Sequence, residues 1–491
     1  MVLTEAKQRG LGGGLVFSCK GGCGKTHEVE RSRFLPRPPG TFGPPITETT
    51  RRVVAAAQEQ GMGLAQTNGL LVGADLPPLN KATWEGHSDA HAVAVSAEYE
   101  TMLLENLKLE IAATLRLVGE SARNPDGTVS IMVLTDGSWQ KRYGHNSLWG
   151  SGIQSGFHTG LPIFASSRCA RCATCAAAER RNTPPNKHAC TNTWPKGEAA
   201  GVMERDIALE GVTWLLKQGA VVSVLVCDGD TKTLEWIRAR GPKAVADVIT
   251  MRLDLNHVAK CLGGGCRDLK LVSDAACAVI QSTISSCVYW SREHGNDPKP
   301  GSPEEAEQAA QLQASCKAAV GHLFNIDGHA ACGPSCTAKA GNAAYDPKHI
   351  PKKLKKYLNP GPNKSTYKAI LTVIESYSTV DMCKKLVHWG STNTCEAGNS
   401  VLWLCHLPKN RLRTKSGNTQ MKIAIMHKAL GRGAAAGAVE KQMGLPELGF
   451  RASQARANKD KEKKKLKRGN PRRASRLAMG RKAGASGMRP T

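Results

Sequence analysis

Residues 128–139, TVSIMVLTDGSW, determine how the rest of the chain is interpreted. Their apolar, β-branched run predicts a strand that ends abruptly in Asp136-Gly137. A strand that ends in a carboxylate, followed by a glycine that lets the backbone turn, commonly presents an acid at the carboxyl edge of a sheet. The alternative is a plain turn, because Asp-Gly is also a frequent turn dipeptide.

Three further strands are predicted around this one, at residues 147–156, 163–167 and 221–227. The first two extend the opening strand into an antiparallel meander. The last, VVSVLVC, ends in Asp228-Gly229-Asp230 and precedes a helical pattern. An amphipathic stretch over residues 202–218 predicts a helix before it. A fifth strand is predicted at residues 245–255, leading into His257.

This order of elements is that of a ribonuclease H-like core. In such a core the first and fourth strands are neighbours, so Asp136 and Asp228 are expected to face each other across one edge. A third acid is expected from a late helix, and Glu396 in STNTCEAGNSVLWLCH is the candidate. Asn393, Glu396 and Asn399 are spaced there at i, i+3 and i+6, which places them on one helix face.

Four motifs in this order resemble the Mutator-like transposase domain, a DDE recombinase family with a ribonuclease H-like fold: DGSWQKRYGHNSL, CDGDTKT, DLNHVAK and NTCEAGNSVLW. The likeness runs from about residue 19 to about residue 465. It implies a metal-binding triad, which consists of Asp136, Asp228 and Glu396. It also implies three neighbours in the same motifs, which are Asp230, His257 and Asn399.

Two details of this site stay open at the level of sequence. Asp228 and Asp230 follow the same strand, and Asp228 is the preferred metal ligand because it comes directly at the strand end. His257 either assists phosphate chemistry or caps the element that follows it.

Composition limits the class of protein. At 491 residues the chain can form two to four domains and needs no disulfides to fold. A net charge of +26 favours a polyanionic partner, and double-stranded DNA is the expected one. The alternative is a basic tail on an ordinary protein. No long apolar run and no secretory signal are found, so we expect an intracellular chain without a membrane partner.

Cysteine and histidine spacing predicts two zinc sites in such a chain. The first set is Cys172, Cys175, His188 and Cys190, with Cys169 spare. A CxxC pair provides two tetrahedral ligands from one turn, and a His-x-Cys can complete the four. The alternative is a loop of reduced surface thiols. The second, weaker set is His329, Cys332 and Cys336, which also match a His/Cys motif of the family.

Basic residues outside the core are the candidates for gripping DNA. Two short helices separated by Gly61-Met62-Gly63 have the shape of a helix-turn-helix, with Arg51 and Arg52 near phosphates if the unit docks on DNA. The alternative is a packed helical hairpin. A basic loop after the Glu396 helix is the second candidate, and it contributes Arg411, Arg413 and Lys415.

The predicted organisation is therefore mixed α/β with six segments. They are a Gly/Pro-rich segment with a Cys pair (1–48), a helical region (49–119), the first part of the core with the Cys/His loop 168–191 (128–269), a helical insertion with a His/Cys cluster (270–380), the final part of the core (381–450) and a basic disordered tail (451–491). The tail is rich enough in Lys and Arg to direct the protein to the nucleus or to grip phosphates.

The function expected from these features is that of a DDE-type DNA transposase. Three converging carboxylates would hold two Mg²⁺ (or Mn²⁺) ions about 4 Å apart, which polarise the scissile phosphate and activate a water or a 3′-hydroxyl. The DNA partners would be element ends and target, with a homo-oligomer possible. The alternatives are a ribonuclease H-like nuclease that cuts without joining, and a domesticated or inactive element that acts as a zinc-dependent DNA-binding protein.

Overall fold

The computed structural model describes residues 2–9, 11–19, 25–30, 32–35, 46–140, 147–195, 198–228, 231–295, 301–324, 364–403 and 416–448, with a few single positions. Within these ranges the chain has a mixed α/β fold, as the sequence predicted. The site candidates Asp230, His329, Cys332, Cys336, Arg411, Arg413 and Lys415 lie outside the described residues, as does the basic tail from residue 459 onward.

The strands in chain order are β1 (Val2–Arg9), β2 (Gly12–Ser18), β3 (Thr26–Glu30), β4 (Phe34–Leu35), β5 (Ile46–Thr47), β6 (Val129–Trp139), β7 (Trp149–Gly156), β8 (Pro162–Cys169), β9 (Ala220–Cys227) and β10 (Thr250–Leu253). The helices before the last strand are α1 (Glu48–Glu59), α2 (Leu64–Gly73), α3 (Lys81–Val118), α4 (Ala173–Arg180), α5 (Ala200–Lys217), α6 (Thr231–Arg240) and α7 (Lys243–Ala246). Those after it are α8 (Leu255–Asp268), α9 (Asp274–His294), α10 (Pro303–Leu323), α11 (Lys364–Tyr377), α12 (Val380–Leu386), α13 (Asn393–Val401), α14 (Gly417–Ala429) and α15 (Arg432–Gln442).

A five-stranded sheet forms the centre of the molecule, in the order β10-β9-β6-β7-β8. β9 is parallel to both β6 and β10, whereas β7 is antiparallel to β6 and β8. The central strands are apolar on both faces, with Ile131 and Val222 fully buried, because helices cover both sides of the sheet. The opening run of the sequence is thus the middle strand, β6. It does not end or turn at Asp136-Gly137 as the sequence suggested, because pairing with β7 continues the strand to Trp139.

The fifth strand is shorter than the sequence predicted. Residues 245–255 were expected to be extended, but only Thr250–Leu253 form β10. Pro242 begins the short helix α7 just before it, since proline is compatible with the start of a helix. Val245 and Ile249 are buried four residues apart, and Val245 belongs to the face of a helical turn rather than to a strand.

Helices pack on the two faces of the sheet. α5 covers one face, where Val212 and Leu215 join the buried residues of β6 and β9. α5 approaches β7 so closely that a Cβ added at Gly152 would lie 2.7 Å from Cγ2 of Ile207. The other face is covered by α3, α13 and α14, and Cys395 and Ile425 are completely buried there.

A second hydrophobic core lies among the helices that follow β10. It unites α8 to α12 around fully buried residues such as Ile280, Val320 and Ile374. The sequence predicted a helical insertion over residues 270–380, and the described part of this range contains α9, α10 and α11, with a break between His294 and Pro303. A buried contact of 2.6 Å between Nε2 of His388 and Oε1 of Glu305 connects the segment before α13 to the start of α10.

The amino-terminal region is more structured than its Gly/Pro-rich composition indicated. β1, β2 and β3 form an antiparallel sheet there. The two short helices expected from the glycine break are present as α1 and α2. α3 begins at Lys81, because Asn80 caps it by accepting a hydrogen bond from the backbone N–H of Thr83. None of the described helices combines the length and apolar character needed to cross a membrane.

Candidate functional site

Strand order brings the first two acids to one edge of the sheet. The pairing of β6 with β9 runs to Leu134 and Val226. Asp136 and Asp228 each lie two residues beyond these paired positions, so they emerge side by side where β9 ends. This neighbourhood was expected from the sequence. It follows from the parallel alignment of two strands that are about 90 residues apart in the chain.

α13 lies against the same edge and carries Glu396. Its buried Cys395 packs beneath the sheet, with Sγ 3.4 Å from the backbone carbonyl oxygen of Leu134. Asn399 donates from Nδ2 to Oδ2 of Asp136 at 2.8 Å, and its Oδ1 accepts from the hydroxyl of Ser138 at 2.9 Å. Because both ends of the amide are engaged, Asn399 fixes the carboxylate of Asp136 relative to α13.

The pKa of Asp136 is raised to about 7. Burial is the largest cause, and the negative charge of Asp228 comes next, with smaller contributions from Glu396 and Asp254. The hydrogen bond from Asn399 offsets part of this effect because it favours the ionised form. The carboxylates at this edge therefore repel one another, and the neighbouring hydrogen-bond donor offsets only part of that repulsion.

Two basic side chains of α8 face these acids. His257 places Nδ1 3.1 Å from Oδ2 of Asp228, and Lys260 places Nζ 3.1 Å from Oε1 of Glu396. The contact with Asp228 raises the pKa of His257, and the contact with Glu396 raises the pKa of Lys260. Positions 257 and 260 are three apart, so both side chains project from one face of the helix.

A fourth acid, Asp254, lies behind this set and was not singled out from the sequence. It is almost completely buried and caps α8 by accepting from the backbone N–H of Asn256 at 2.8 Å. Its Oδ2 accepts from the backbone N–H and the hydroxyl of Thr392, at 2.9 and 2.5 Å. Asp254 follows β10 directly, so the strand-end pattern that identified Asp136 and Asp228 could have identified it too.

The donor chemistry of this edge suits a hard divalent cation, because carboxylate oxygens are the preferred ligands of Mg²⁺ and Mn²⁺. A bound cation would also offset the repulsion that raises the pKa of Asp136. Among the described residues, one group of three or more His, Cys, Asp or Glu side chains has all its ligand atoms within 4.8 Å, and it lies elsewhere. The acids of the edge are more widely spaced.

That compact group consists of the four predicted zinc ligands, Cys172, Cys175, His188 and Cys190. Nε2 of His188 lies 3.2 Å from Sγ of Cys172 and 3.3 Å from Sγ of Cys175. The Sγ atoms of Cys175 and Cys190 are 3.6 Å apart. A tetrahedral zinc ion with Zn–S distances of about 2.3 Å separates its sulfur ligands by roughly 3.8 Å, so this set can hold a metal such as zinc.

The surroundings of the cluster favour metal binding further. Nδ1 of His188 lies 2.6 Å from the carbonyl oxygen of Asn186, which favours the tautomer that leaves Nε2 available as a ligand. Burial would raise the pKa of Cys172, but hydrogen bonds from Cys175 and Thr191 lower it to about 5, which favours the thiolate. Cys169 is not part of the group and donates to the carbonyl oxygen of Arg171, consistent with its predicted status as spare.

Arg51 and Arg52 are directed into the protein. Arg52 contacts Glu48 and Glu440 at 2.7 and 3.2 Å and also donates to the carbonyl of Pro446, while Arg51 donates to the carbonyl of Met443. These contacts fasten α1 to the chain around α15. They favour the packed hairpin, which was the alternative interpretation of the two helices.

A family model described as Mutator-like transposase covers residues 1–337. This range includes Asp136, Asp228 and His257 and ends before Glu396. No curated protein matches the chain.

Proposed function

Because the chain belongs to the Mutator-like transposase family, we propose that it is a DDE-type DNA transposase with a ribonuclease H-like core. In this proposal Asp136, Asp228 and Glu396 are the catalytic carboxylates, and Mg²⁺ or Mn²⁺ is the catalytic cofactor. The substrates are double-stranded element ends and target DNA. The reaction is cleavage of a DNA strand followed by its transfer.

The observation that carries the proposal is the position of Asp136, Asp228 and Glu396 at one edge of the sheet, where α13 and the parallel strands β6 and β9 meet. Burial and the charge of Asp228 raise the pKa of Asp136 to about 7 there. Neighbouring carboxylates that repel one another are typical of a site that functions with a bound cation. The strand order β10-β9-β6-β7-β8 supports the ribonuclease H-like assignment, because the first and fourth core strands are adjacent in it.

Each side chain of the edge then has a definable task. Divalent cations bound by the three carboxylates would polarise the scissile phosphate and activate the attacking water or 3′-hydroxyl. Asn399 holds the Asp136 carboxylate in one orientation through its 2.8 Å hydrogen bond. His257 and Lys260 orient Asp228 and Glu396 and bring positive charge toward the DNA phosphates.

Further parts of the proposal concern the rest of the chain. The Cys172, Cys175, His188 and Cys190 cluster holds a structural zinc ion, since three thiols and one imidazole are a common structural zinc set. The basic sequence KDKEKKKLKRGNPRRASR directs the protein to the nucleus. We also propose that the active species is a homo-oligomer that holds two element ends.

Single substitutions test the catalytic assignment. Asp136→Asn, Asp228→Asn and Glu396→Gln should each abolish Mg²⁺- or Mn²⁺-dependent cleavage, because each removes one charged ligand, while DNA binding persists. The matched control is Asp247→Asn, an exposed acid outside this edge. Cleavage at the wild-type rate by any of the three variants would show that its residue is not catalytic. A strand-transfer assay separates a transposase, which joins the cut end, from a nuclease, which does not.

A further inference from the structure

The metal cluster closes a loop that leaves the sheet at the same edge as the acids. β8 is antiparallel to β7, which is antiparallel to β6, so β6 and β8 end on the same side. Ile153 pairs with both Asp136 and Ala165. Cys169 lies four residues beyond Ala165 and two strands from Asp136. With about 3.3 Å per residue and about 4.8 Å per strand, the loop begins roughly 16 Å from that acid.

The loop buries few apolar side chains apart from the cluster, namely Ala178 and Trp194. Its base is tied to the end of β8 by the backbone N–H of Thr193, which donates to the carbonyl of Cys169 at 2.8 Å. Beyond this base, residues 180–187 are all exposed. At the base of the loop, the side chains of Thr191 and Thr193 bond to the backbone of Arg171 and Cys169. Further out, the four ligands bring the start of α4 together with His188 and Cys190.

The charge of the loop is strongly positive. Residues 170–195 contain four basic residues, all exposed: Arg171, Arg180, Arg181 and Lys187. Glu179 is the one acid in this range. Arg168, at the base, is different, because Asp206 and Glu210 neutralise it at 2.7 Å each.

We infer that the loop clamped by Cys172, Cys175, His188 and Cys190 is a DNA-backbone contact beside the catalytic edge, with these four basic residues as its phosphate ligands. The inference rests on the proposed function. Phosphates of one strand are spaced by about 3.4 Å along the helix axis, so a distance of roughly 16 Å corresponds to about five nucleotides. The metal holds the loop in shape, and the arginines and the lysine grip a backbone segment next to the phosphate being cut.

The test compares two matched double variants of the full-length chain. Arg180→Gln/Arg181→Gln removes two charges from the loop, and Arg116→Gln/Lys217→Gln removes two exposed charges next to the opposite edge, where α3 and α5 end. Binding to a random duplex is measured by fluorescence anisotropy across a salt series. Loss of two phosphate contacts should make the negative slope of log K against log salt shallower by about 1.8 in the loop variant. The slope of the control variant should equal that of the wild type.

A third variant, Cys190→Ser, tests the role of the metal. It should contain about one zinc fewer per chain than the wild type by elemental analysis and should lose DNA affinity in the same direction as the arginine variant. The arginine variant itself should keep its full zinc content, which shows that its loop is folded.

Several outcomes would overturn the inference. They are an unchanged salt slope in the arginine variant, an equal change in the control pair, and full zinc content or full DNA affinity in Cys190→Ser. Failure of the proposed function would be distinct from these. A wild-type protein that binds DNA without cutting it contradicts the transposase assignment, whereas wild-type cleavage with an unaltered arginine variant contradicts the loop alone.

Discussion

The buried carboxylate of Glu59, at the end of α1, should contribute several kcal/mol to the free energy that holds the amino-terminal helices against the rest of the protein. Its Oε2 lies 2.6 Å from Nε2 of the buried His427 on α14, and its Oε1 lies 3.6 Å from Nε2 of the buried His91 on α3. Burial alone would raise the pKa of Glu59, but the hydrogen bond with His427 and the electrostatic effect of both histidines outweigh it and lower the pKa from 4.5 to about 2.

The difference between these two pKa values corresponds to about 3 kcal/mol, at 1.36 kcal/mol for each tenfold change. Because the folded-state pKa is the lower one, this stabilisation is fully present above pH 4.5 and is lost as the pH falls through 2. Glu59→Gln keeps the shape of the side chain and removes its charge. At pH 7 the substitution should raise the opening equilibrium of α1 by about 300-fold, and at pH 4 that ratio should shrink about fourfold.

Hydrogen exchange measured by mass spectrometry on peptides that cover Glu48–Glu59 reports this local opening directly. Comparison of the wild type and the variant at the same pH cancels the intrinsic exchange rate. Glu105→Gln, an exposed glutamate of α3, is the control and should not change protection. Equal protection of α1 in the wild type and in Glu59→Gln at pH 7 would refute the reasoning. It would mean that the contacts of Glu59 do not hold α1 against α3 and α14.

Two further substitutions test the packing behind the proposed catalytic edge and the packing of α5 on the sheet. Thr392→Val removes the hydroxyl that donates to buried Asp254 and leaves one side of that carboxylate with a single donor, the backbone N–H of residue 392. We expect it to slow single-turnover DNA cleavage at least tenfold, whereas Thr392→Ser keeps the hydroxyl and should retain most of the rate; equal rates in the two variants would contradict this. Gly152→Ala places a Cβ 2.7 Å from Ile207 and should destabilise the protein by about 1–3 kcal/mol in thermal unfolding. Gly201→Ala is the control, because open space surrounds that position, and it should not change the stability. An unchanged unfolding midpoint for Gly152→Ala would show that α5 can shift away from β7.

Local patterns in the sequence were sufficient for several features. The mixed α/β class followed from the spacing of apolar residues, which differs between strands and helices. Each spacing depends only on residues that are close together in the chain. Strand ends marked Asp136 and Asp228, because an apolar run that stops at an acid is visible without any tertiary contact. The Cys172, Cys175, His188 and Cys190 group, which can hold a metal such as zinc, was also visible in the sequence, since two of its members share one CxxC turn.

Other features were decided only by the tertiary structure. The residues near Arg51 and Arg52 in the sequence do not indicate that both side chains donate to backbone carbonyls just after α15, some 390 residues away. The pairing of Lys260 with Glu396, and of Asp254 with Thr392, likewise joins residues more than 130 positions apart. Such contacts depend on how whole helices pack on the sheet, and packing is set by the summed burial of many side chains rather than by any short motif.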